Sequence, residues 1–300
     1  MIPSTHTHRL AEAVDTHIHT SPDVVPRRQS DREAVEAAAT AGMAAIVLKS
    51  HTSPTSPRAA IANSQQDAIM VAGGVVLNHA VGGINTEAVR VSLGLGGKIV
   101  WMPTVCADNH IRYMRSGVSD QHLAALTSCV ACHHAPIRIQ DTGGSLLPEV
   151  VTVIDLIAES DAVLATGHLA AEESALLIQT ARSKNVTRIL VTHPEAPQIR
   201  MPRELQTELA DAGATFERCY YSILEGYITP EAMLEDARAT GPDGTVLATD
   251  LGQTHNPLPV DGLMAFREAL NAVGMTDNEW GDFACRNGRR LLDLAPEKGS

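Results

Sequence analysis

Short apolar runs alternate with longer amphipathic segments along the whole chain. The runs cover residues 13–18, 44–49, 69–78, 98–103, 162–166, 188–192, 214–219 and 245–249. Short, continuous apolar runs are typical of parallel strands that are buried on both faces. Between them, apolar residues recur at the spacing of a helix that packs one face on a core. The pattern therefore predicts eight strand and helix repeats.

Several of the predicted helices carry start signals. Ser30 and Glu33 have the spacing of a capping box, in which each side chain bonds a free backbone N–H of the first helical turn. Ser56 precedes Pro57, and proline is favoured at the first position of a helix. These signals predict helices that begin at about residues 31 and 57.

The eight alternations predict an α/β fold, a (β/α)8 TIM barrel, in a single domain over residues 1–300. The main irregularity is an insertion of about residues 104–147, after the fourth predicted strand. It contains a helical pattern and a β-hairpin around the Asp141-Thr-Gly-Gly144 turn. A helix from residue 148 to residue 160 follows it.

Composition narrows the class of partner. The formal net charge is -12, with acidic and basic residues interleaved, and this argues against binding to nucleic acid or to an anionic membrane. Hydrophobic residues make up 44% of the chain, but aromatic residues only 3%, so the core must be aliphatic. We expect a small-molecule partner and a homo-oligomer.

Location and redox state follow from the termini and the cysteines. The amino-terminal residues lack the apolar stretch of a signal peptide, and no segment is apolar enough to span a membrane. Five cysteines, an odd number, favour reduced thiols over a disulfide framework. We therefore expect a cytoplasmic protein.

Metal-ligand residue types stand at the carboxyl ends of four predicted strands, the face on which barrel enzymes build their active sites. The first strand ends in His17-Ile-His19, and residues two apart in an extended chain point the same way. His168 follows the fifth strand, His193 the sixth and Asp250 the eighth. Each histidine alone is weak support, but together they indicate a divalent-metal site.

On these residues the sequence resembles the amidohydrolase superfamily of metal-dependent TIM-barrel hydrolases. The segments that carry the resemblance are VDTHIHTSPD (14–23), LLPEV (146–150), LATGHLA (164–170), VTHPE (191–195) and NGRRLLDL (287–294). They look like an uncharacterised branch of that superfamily. The resemblance implies a fold and a metal site, and it leaves the substrate open.

The resemblance also implies roles for individual residues. His17 and His19 would bind the more buried ion with Asp250, and His168 and His193 would bind a second one. Asp15 would orient a ligand rather than bind the metal. Asp250 would act as the general base. If only one ion binds, His193 would instead polarise the substrate carbonyl.

One departure from the superfamily concerns the bridging ligand. Many two-metal members use a carbamylated lysine after the fourth strand, but here that strand ends in Trp101-Met-Pro103 and Lys98 stands at its beginning. Lys49, at the end of the second strand, is the candidate replacement. Alternatively, Lys49 remains a cation that holds the substrate or forms a structural ion pair.

Further residues are candidates for substrate binding. His51 and His79 end the second and third predicted strands. Arg27, in the loop after the first strand, could hold a carboxylate through two parallel hydrogen bonds, whereas Arg28 is expected to be solvated. Tyr220 and Tyr221 should face opposite ways at the end of the seventh strand, and we assign the cleft position to Tyr220.

The leading hypothesis is a hydrolase that cleaves an amide-type C–N bond, cyclic or linear, or a lactone, with a metal-activated water. One or two ions are expected, zinc first, with manganese, iron or nickel as alternatives. A metal-dependent decarboxylase of the same fold is the rival activity. A non-catalytic metal-binding barrel is the third hypothesis.

Overall fold

The strands of the protein follow the predicted order, with one split. The computed structural model describes residues 10–117 and 134–294. Its strands are β1 (Val14–Ile18), β2 (Ala45–Leu48), β3 (Met70–Ala72), β4 (Gly74–Val76), β5 (Ile99–Trp101), β6 (Val163–Ala165), β7 (Arg188–Thr192), β8 (Ala214–Cys219) and β9 (Thr245–Ala248).

The third predicted strand is divided into β3 and β4 by Gly73. A Cβ atom on Gly73 would lie 2.5 Å from the backbone oxygen of Thr55, so only glycine allows this approach. At this break between β3 and β4, the backbone N–H of Thr55 donates a hydrogen bond to Gly74 O at 2.8 Å.

All strand pairs are parallel, and the ends of the series meet. The order is β1-β2-β3 in one sheet and β4 through β9 in the other. The last strand meets the first through Asp250 N to His17 O, 2.8 Å, and His19 N to Leu251 O, 2.7 Å. The described strands thus run around a barrel, and the α/β barrel prediction is confirmed.

Helices follow the strands and pack outside them. They are α1 (Asp31–Thr40), α2 (Ser56–Gln65), α3 (Thr86–Gly94), α4 (Asp108–Arg115), α5 (Pro148–Glu159), α6 (Ala171–Ser183), α7 (Arg203–Asp211), α8 (Tyr220–Leu224), α9 (Pro230–Ala239), α10 (Pro259–Ala272), α11 (Asp277–Trp280) and α12 (Asn287–Leu292). The Ser30–Glu33 capping box is present at α1. At α2 the cap is Thr55, and Ser56 is already helical.

The core divides between the inside of the barrel and the layer under the helices. Along β5, Ile99 and Trp101 lie in the inner cluster, whereas Val100 packs beneath the helices. This alternation is what a strand period of two requires. At the amino end of the barrel, Gly288 of α12 fits against Val14, where a Cβ would come within 2.7 Å.

The insertion after β5 contains α4 and a chain reversal. Its residues 118–133, which include almost all of the helical pattern predicted in the insertion, lie outside the described part of the chain. The predicted hairpin occurs as a turn with a single antiparallel bridge, Gln140 to Leu146, rather than as two strands. The reason is that Asp141 Oδ1 accepts hydrogen bonds from Gly143 N and Ser145 N, which takes two amides out of any ladder.

Candidate metal centre

The carboxyl ends of the strands surround a cleft. Side chains from almost the whole barrel line it, although they lie far apart in sequence. The polar ones are His19, Arg27, Lys49, His51, His168, His193, Gln198, Tyr221, Ser222, Tyr227, Asp250 and Gln253. Most of the predicted site residues are therefore gathered in one place.

Three donor atoms converge most closely, and they come from β1, from the residue that follows it and from the loop after β9. Asp250 Oδ1 lies 3.0 Å from His17 Nε2 and 3.1 Å from His19 Nε2, and the two Nε2 atoms are 3.2 Å apart. Two imidazoles and a carboxylate are a donor set that suits zinc and other divalent ions. The donors therefore fit the metal that the resemblance implies.

The opposite edge of each imidazole is held by a second partner. Glu217 Oε2 lies 3.0 Å from His17 Nδ1, and the backbone oxygen of Lys49 lies 3.0 Å from His19 Nδ1. Partners of this kind fix the tautomer, so that Nε2 carries the lone pair that a metal needs. Both rings are thus oriented in advance.

Glu217 is a site residue that the sequence prediction missed. It is fully buried in β8 and also accepts a 2.7 Å hydrogen bond from Thr16 Oγ1. Thr16 and His17 are neighbours, yet both reach Glu217, because β1 carries a register irregularity between Asp15 and Ile18. A carboxylate within an apolar strand was the available signal.

Asp15 contacts the backbone of the candidate ligand His17 rather than its side chain, and its orienting role stays a prediction. Its Oδ1 accepts from the backbone N–H groups of His17, 3.1 Å, and Thr249, 3.0 Å, and its Oδ2 accepts from Thr249 Oγ1 at 2.6 Å. Asp15 therefore ties β1 to β9 through the backbone. Burial raises the pKa of its carboxyl to about 7, against the effect of these hydrogen bonds.

Lys49 lies inside the group of candidate ligands. Its side chain is buried, and its Nζ is 3.0 Å from His17 Nε2. Burial lowers the pKa of the ammonium, while the carboxylates of Asp250 and Glu217 act in the opposite direction. A lysine whose charged form is disfavoured has the reactivity that carbamylation requires.

His168 and His193 form a looser second group. Their ring centroids are 4.9 Å apart, and His193 lies 6.1 Å from His17. His193 Nδ1 is buried and has no hydrogen-bond partner in the described structure. Within residues 10–117 and 134–294, neither ring belongs to a set of three donor atoms that lie within 4.8 Å of one another.

His110, on α4, is a second residue that the sequence prediction missed. It is fully buried, and its Nδ1 lies 2.9 Å from His168 Nδ1. This contact leaves His168 Nε2 for another partner. No signal in the sequence identified His110, because α4 belongs to the irregular insertion. There, the spacing of residues does not show which side chains face the cleft.

The charge states of four cleft histidines suit metal binding, whereas the carboxylates of Asp250 and Glu217 outweigh burial and raise the pKa of His17. Burial lowers the pKa of His193 to about 4 and that of His19, His51 and His168 well below the usual range. These rings are therefore neutral at pH 7, which is the form that binds metals. Burial opposes ionisation of Asp250, but His17 and His19 outweigh it and hold the Asp250 pKa well below its ordinary value.

Backbone geometry turns the site residues into the cleft. His193 and Asp250 have φ angles of 27° and 54°, in the region that L residues rarely adopt. Gly167, with φ 62°, precedes His168. His193 directly follows β7, and Asp250 and Gly167 come one residue later after β9 and β6, so the left-handed turns redirect the chain at the rim of the barrel.

Two predicted substrate contacts are corrected by the structure. His79 does not line the cleft, because the inward position belongs to Asn78, whose Oδ1 accepts from Thr104 N at 2.9 Å. His79 points away and contacts Ala135 O at 2.8 Å. Tyr220 packs on Phe266 with ring centroids 5.3 Å apart, and Tyr221 lines the cleft in its place.

The tyrosine assignment failed because a helix begins immediately after Cys219, where an extended continuation of the strand was assumed. Tyr220 and Tyr221 form the first turn of α8, so they do not point in opposite directions. Of the remaining predicted contacts, His51 lies in the cleft with Nδ1 2.8 Å from Thr104 Oγ1. Arg27 lies there too, and Arg28 is exposed and donates to Thr254 O.

Comparison with known proteins identifies a sequence family and structures of similar fold. Residues 12–217 match the family described as "Family of unknown function (DUF6282)". No curated protein matches the chain by sequence. None of the helices within the described residues is long and apolar enough to cross a membrane.

Several solved structures have the same fold. An amidohydrolase from Pseudomonas aeruginosa matches with a TM-score of 0.56 at 13% identity, covering 94% of this chain and 95% of that one. A putative 2-pyrone-4,6-dicarboxylic acid hydrolase from Pseudomonas putida matches with a TM-score of 0.58 at 12% identity, covering 95% and 99%. A 2,6-dihydroxybenzoate decarboxylase matches with a TM-score of 0.55 at 11% identity, covering 95% and 100%. These matches show the fold that the resemblance implies.

Proposed function

The chain belongs to DUF6282, a family of unknown function, and we propose that it is a metal-dependent hydrolase that acts on a small molecule. The observation that carries the proposal is the convergence of His17 Nε2, His19 Nε2 and Asp250 Oδ1 within 3.2 Å of one another. These three atoms would hold the first ion. When bound, a divalent cation polarises a substrate carbonyl and lowers the pKa of a water molecule.

The residues around this trio would have separate roles. Asp250 is ionised at neutral pH, and 15% of its side chain is exposed. It would accept a proton from the attacking water and return it to the leaving group. His168 and His193 would hold a second ion, with Lys49 as the bridging carbamate. Zinc suits this donor set, and manganese, iron and nickel are alternatives.

Two observations favour a second ion. His193 Nδ1 is buried without a hydrogen-bond partner in the described structure, and a buried polar atom of this kind usually has a ligand, water or ion as its partner. Lys49 Nζ lies next to the first trio. In a protein with one ion, His193 would instead donate a hydrogen bond to the substrate carbonyl, and Lys49 would stay a cation.

Metal content per chain tests the site. Protein purified without chelator is measured by plasma mass spectrometry beside Lys49→Ala and the double variant His17→Ala/His19→Ala. Two ions in the native protein and one in Lys49→Ala would support the bridged site, and one ion in both would support the mononuclear mechanism. The double variant should lose its metal. Full metal content in that variant, or none in the native protein after adding divalent ions, would contradict the proposal.

The bond that is cleaved is proposed to be an amide-type C–N bond or a lactone. The decarboxylase among the similar structures shows that this fold alone does not decide between hydrolysis and C–C cleavage. Turnover in ¹⁸O-labelled water separates the two, since hydrolysis places the label in the product and decarboxylation does not. Unlabelled product would contradict the hydrolase.

A further inference from the structure

One cation in the cleft has donor groups that the described protein leaves unused. The Arg27 side chain is 1% exposed and lines the cleft together with His19 and Asp250. Its two terminal nitrogens, Nη1 and Nη2, are buried, and neither has an aligned hydrogen-bond acceptor in the described structure, although Nη2 lies within ion-pair distance of Asp23. Buried polar groups nearly always have a partner, so this edge of the guanidinium points to a ligand.

The other edge of Arg27 is held firmly. Arg27 Nε donates to Asp23 Oδ2 at 2.7 Å, and Nη2 lies 2.7 Å from the same oxygen without the alignment of a hydrogen bond. Asp23 Oδ1 is already used, since it accepts from Val24 N at 2.6 Å. The intramolecular partner therefore occupies one edge only, and it orients the guanidinium instead of neutralising all its donors.

The backbone under Arg27 is fixed as well. Arg27 forms an antiparallel bridge with Gln253, and Arg28 N donates to Gly252 O at 2.9 Å. The loop after β1 is thus attached to the loop after β9, which carries Asp250. A donor that is held in place in this way loses little conformational entropy when it binds a ligand.

We propose that Arg27 is the subsite for a carboxylate group of the substrate, so that the hydrolase acts on a small carboxylic acid. The inference rests on the proposed function, because it assumes that the cleft holds the reacting bond. A planar guanidinium edge matches the two oxygens of a carboxylate. A phosphate has more oxygens to satisfy than one arginine edge can reach. The neighbouring Gln253 amide does not supply a further donor, because it is engaged with Asp250 O and Asn256. A single arginine therefore fits one carboxylate better than a phosphate.

Carboxylate binding can be measured without knowing the substrate. The probes are straight-chain dicarboxylates from malonate to adipate and the matching diamides, titrated by calorimetry into the metal-loaded protein. We expect at least one dicarboxylate to bind and its diamide to fail. Arg27→Gln should weaken that binding about ten- to hundredfold, the range for a lost charge-assisted hydrogen bond.

The control is the neighbouring arginine. Arg28 is exposed and donates to Thr254 O, so Arg28→Gln should bind the dicarboxylate as the native protein does. Arg27→Lys keeps the charge but lacks the planar fork, and should also bind weakly. It provides the test if Arg27→Gln does not fold, which circular dichroism reports.

Three results would overturn the proposal. The first is equal dicarboxylate affinity in the native protein and Arg27→Gln, which would assign binding to the metal alone. The second is binding of inorganic phosphate, but of no dicarboxylate, that depends on Arg27. The third is no binding by any probe.

Repeating the titration with chelator-treated protein separates this proposal from the proposed function. Binding that depends on Arg27 in a protein without metal-dependent turnover would keep the subsite and contradict the hydrolase. Turnover of a substrate that lacks any carboxylate would keep the hydrolase and contradict the subsite.

Discussion

At the scale of single residues, the site is defined by which atom of each side chain is already occupied. His17 and His19 use Nδ1 for Glu217 and for a backbone oxygen, so both present Nε2 to the same point. Asp250 Oδ1 faces both of these nitrogens. The donors are therefore positioned before any ion binds, and less reorganisation is needed on binding.

Asp250 is the residue on which the proposed chemistry depends most. Asp250→Asn keeps the size of the side chain but removes the charge and the proton acceptor. We expect turnover to fall by at least about a hundredfold, in line with the loss of a general base. Circular dichroism and thermal unfolding serve as controls for the fold, and unaltered turnover in this variant would remove Asp250 from the mechanism.

Glu217 should control metal affinity without touching the metal. Glu217→Gln weakens the contact with His17 Nδ1, and the loss of such a partner typically lowers metal affinity about 10- to 100-fold. Competition with a chromogenic chelator measures it. Glu208→Gln, on the exposed face of α7, is the matched control. Equal affinities in the two variants would mean that Glu217 has only a structural role.

At the scale of elements, short breaks in regular structure aim the side chains. The irregularity in β1 brings the adjacent Thr16 and His17 to the same carboxylate. Left-handed residues after β7 and β9 turn His193 and Asp250 into the cleft. Conformations of this kind persist only where the surrounding structure holds them, and they concentrate at functional sites.

Gly167 is the element-scale position with the sharpest test. A Cβ there would lie 2.4 Å from Met102 O and 2.6 Å from Pro103 O, in addition to the strain of φ 62°. Gly96 has φ 81° and no atom within 4 Å, so Gly96→Ala reports strain alone, roughly 1–2 kcal/mol. Gly167→Ala should cost about 1–3 kcal/mol more through the clash. Urea unfolding measures both, and equal losses would contradict the close approach.

At the scale of the whole molecule, the barrel brings together residues that are 200 or more positions apart. Asp15 binds Thr249, and His17 contacts both Glu217 and Asp250. The first and last strands therefore share the site as well as the backbone contacts between β1 and β9. Any variant that loosens this contact should disturb metal binding and folding together.

The outer layer of helices is held in part by a surface ion pair that should depend on pH. Arg238 of α9 donates to Glu279 of α11 at 2.6 and 3.1 Å. This hydrogen bonding lowers the pKa of Glu279 to about 2 from 4.5. Since the folded pKa is the lower one, the stabilisation is complete above the unfolded value and is lost as pH falls from 4.5 towards 2.

Glu279→Gln tests that linkage. The side chain is 23% exposed, so solvent screening limits the expected loss to about 1 kcal/mol at pH 7. The loss should fade between pH 4.5 and 2 when unfolding is followed by urea at each pH. Glu87→Gln, at an exposed pair 3.7 Å from Arg90, is the control with a smaller effect. A loss for Glu279→Gln that stays constant with pH would contradict the assignment.

The sequence by itself determined the order of the elements. It also determined that the candidate site residues lie at the carboxyl ends of the strands. Apolar runs specify buried strands, and in a parallel barrel all their carboxyl ends share one face. His17, His19, His168, His193 and Asp250 could therefore be assigned to one cleft from the sequence alone. The split at Gly73 and the single-bridge hairpin could not be predicted, because they depend on contacts with distant backbone.

Only the tertiary structure decided which polar residues face inward and which atoms they use. Asn78 takes the inward position where His79 was expected, and Tyr221 takes that of Tyr220, because each side chain's direction depends on where its strand ends. Glu217 and His110 entered the site through contacts across 200 and 58 positions of the chain. Sequence periodicity fixes the face of an element, whereas distances between elements arise only when the barrel is packed.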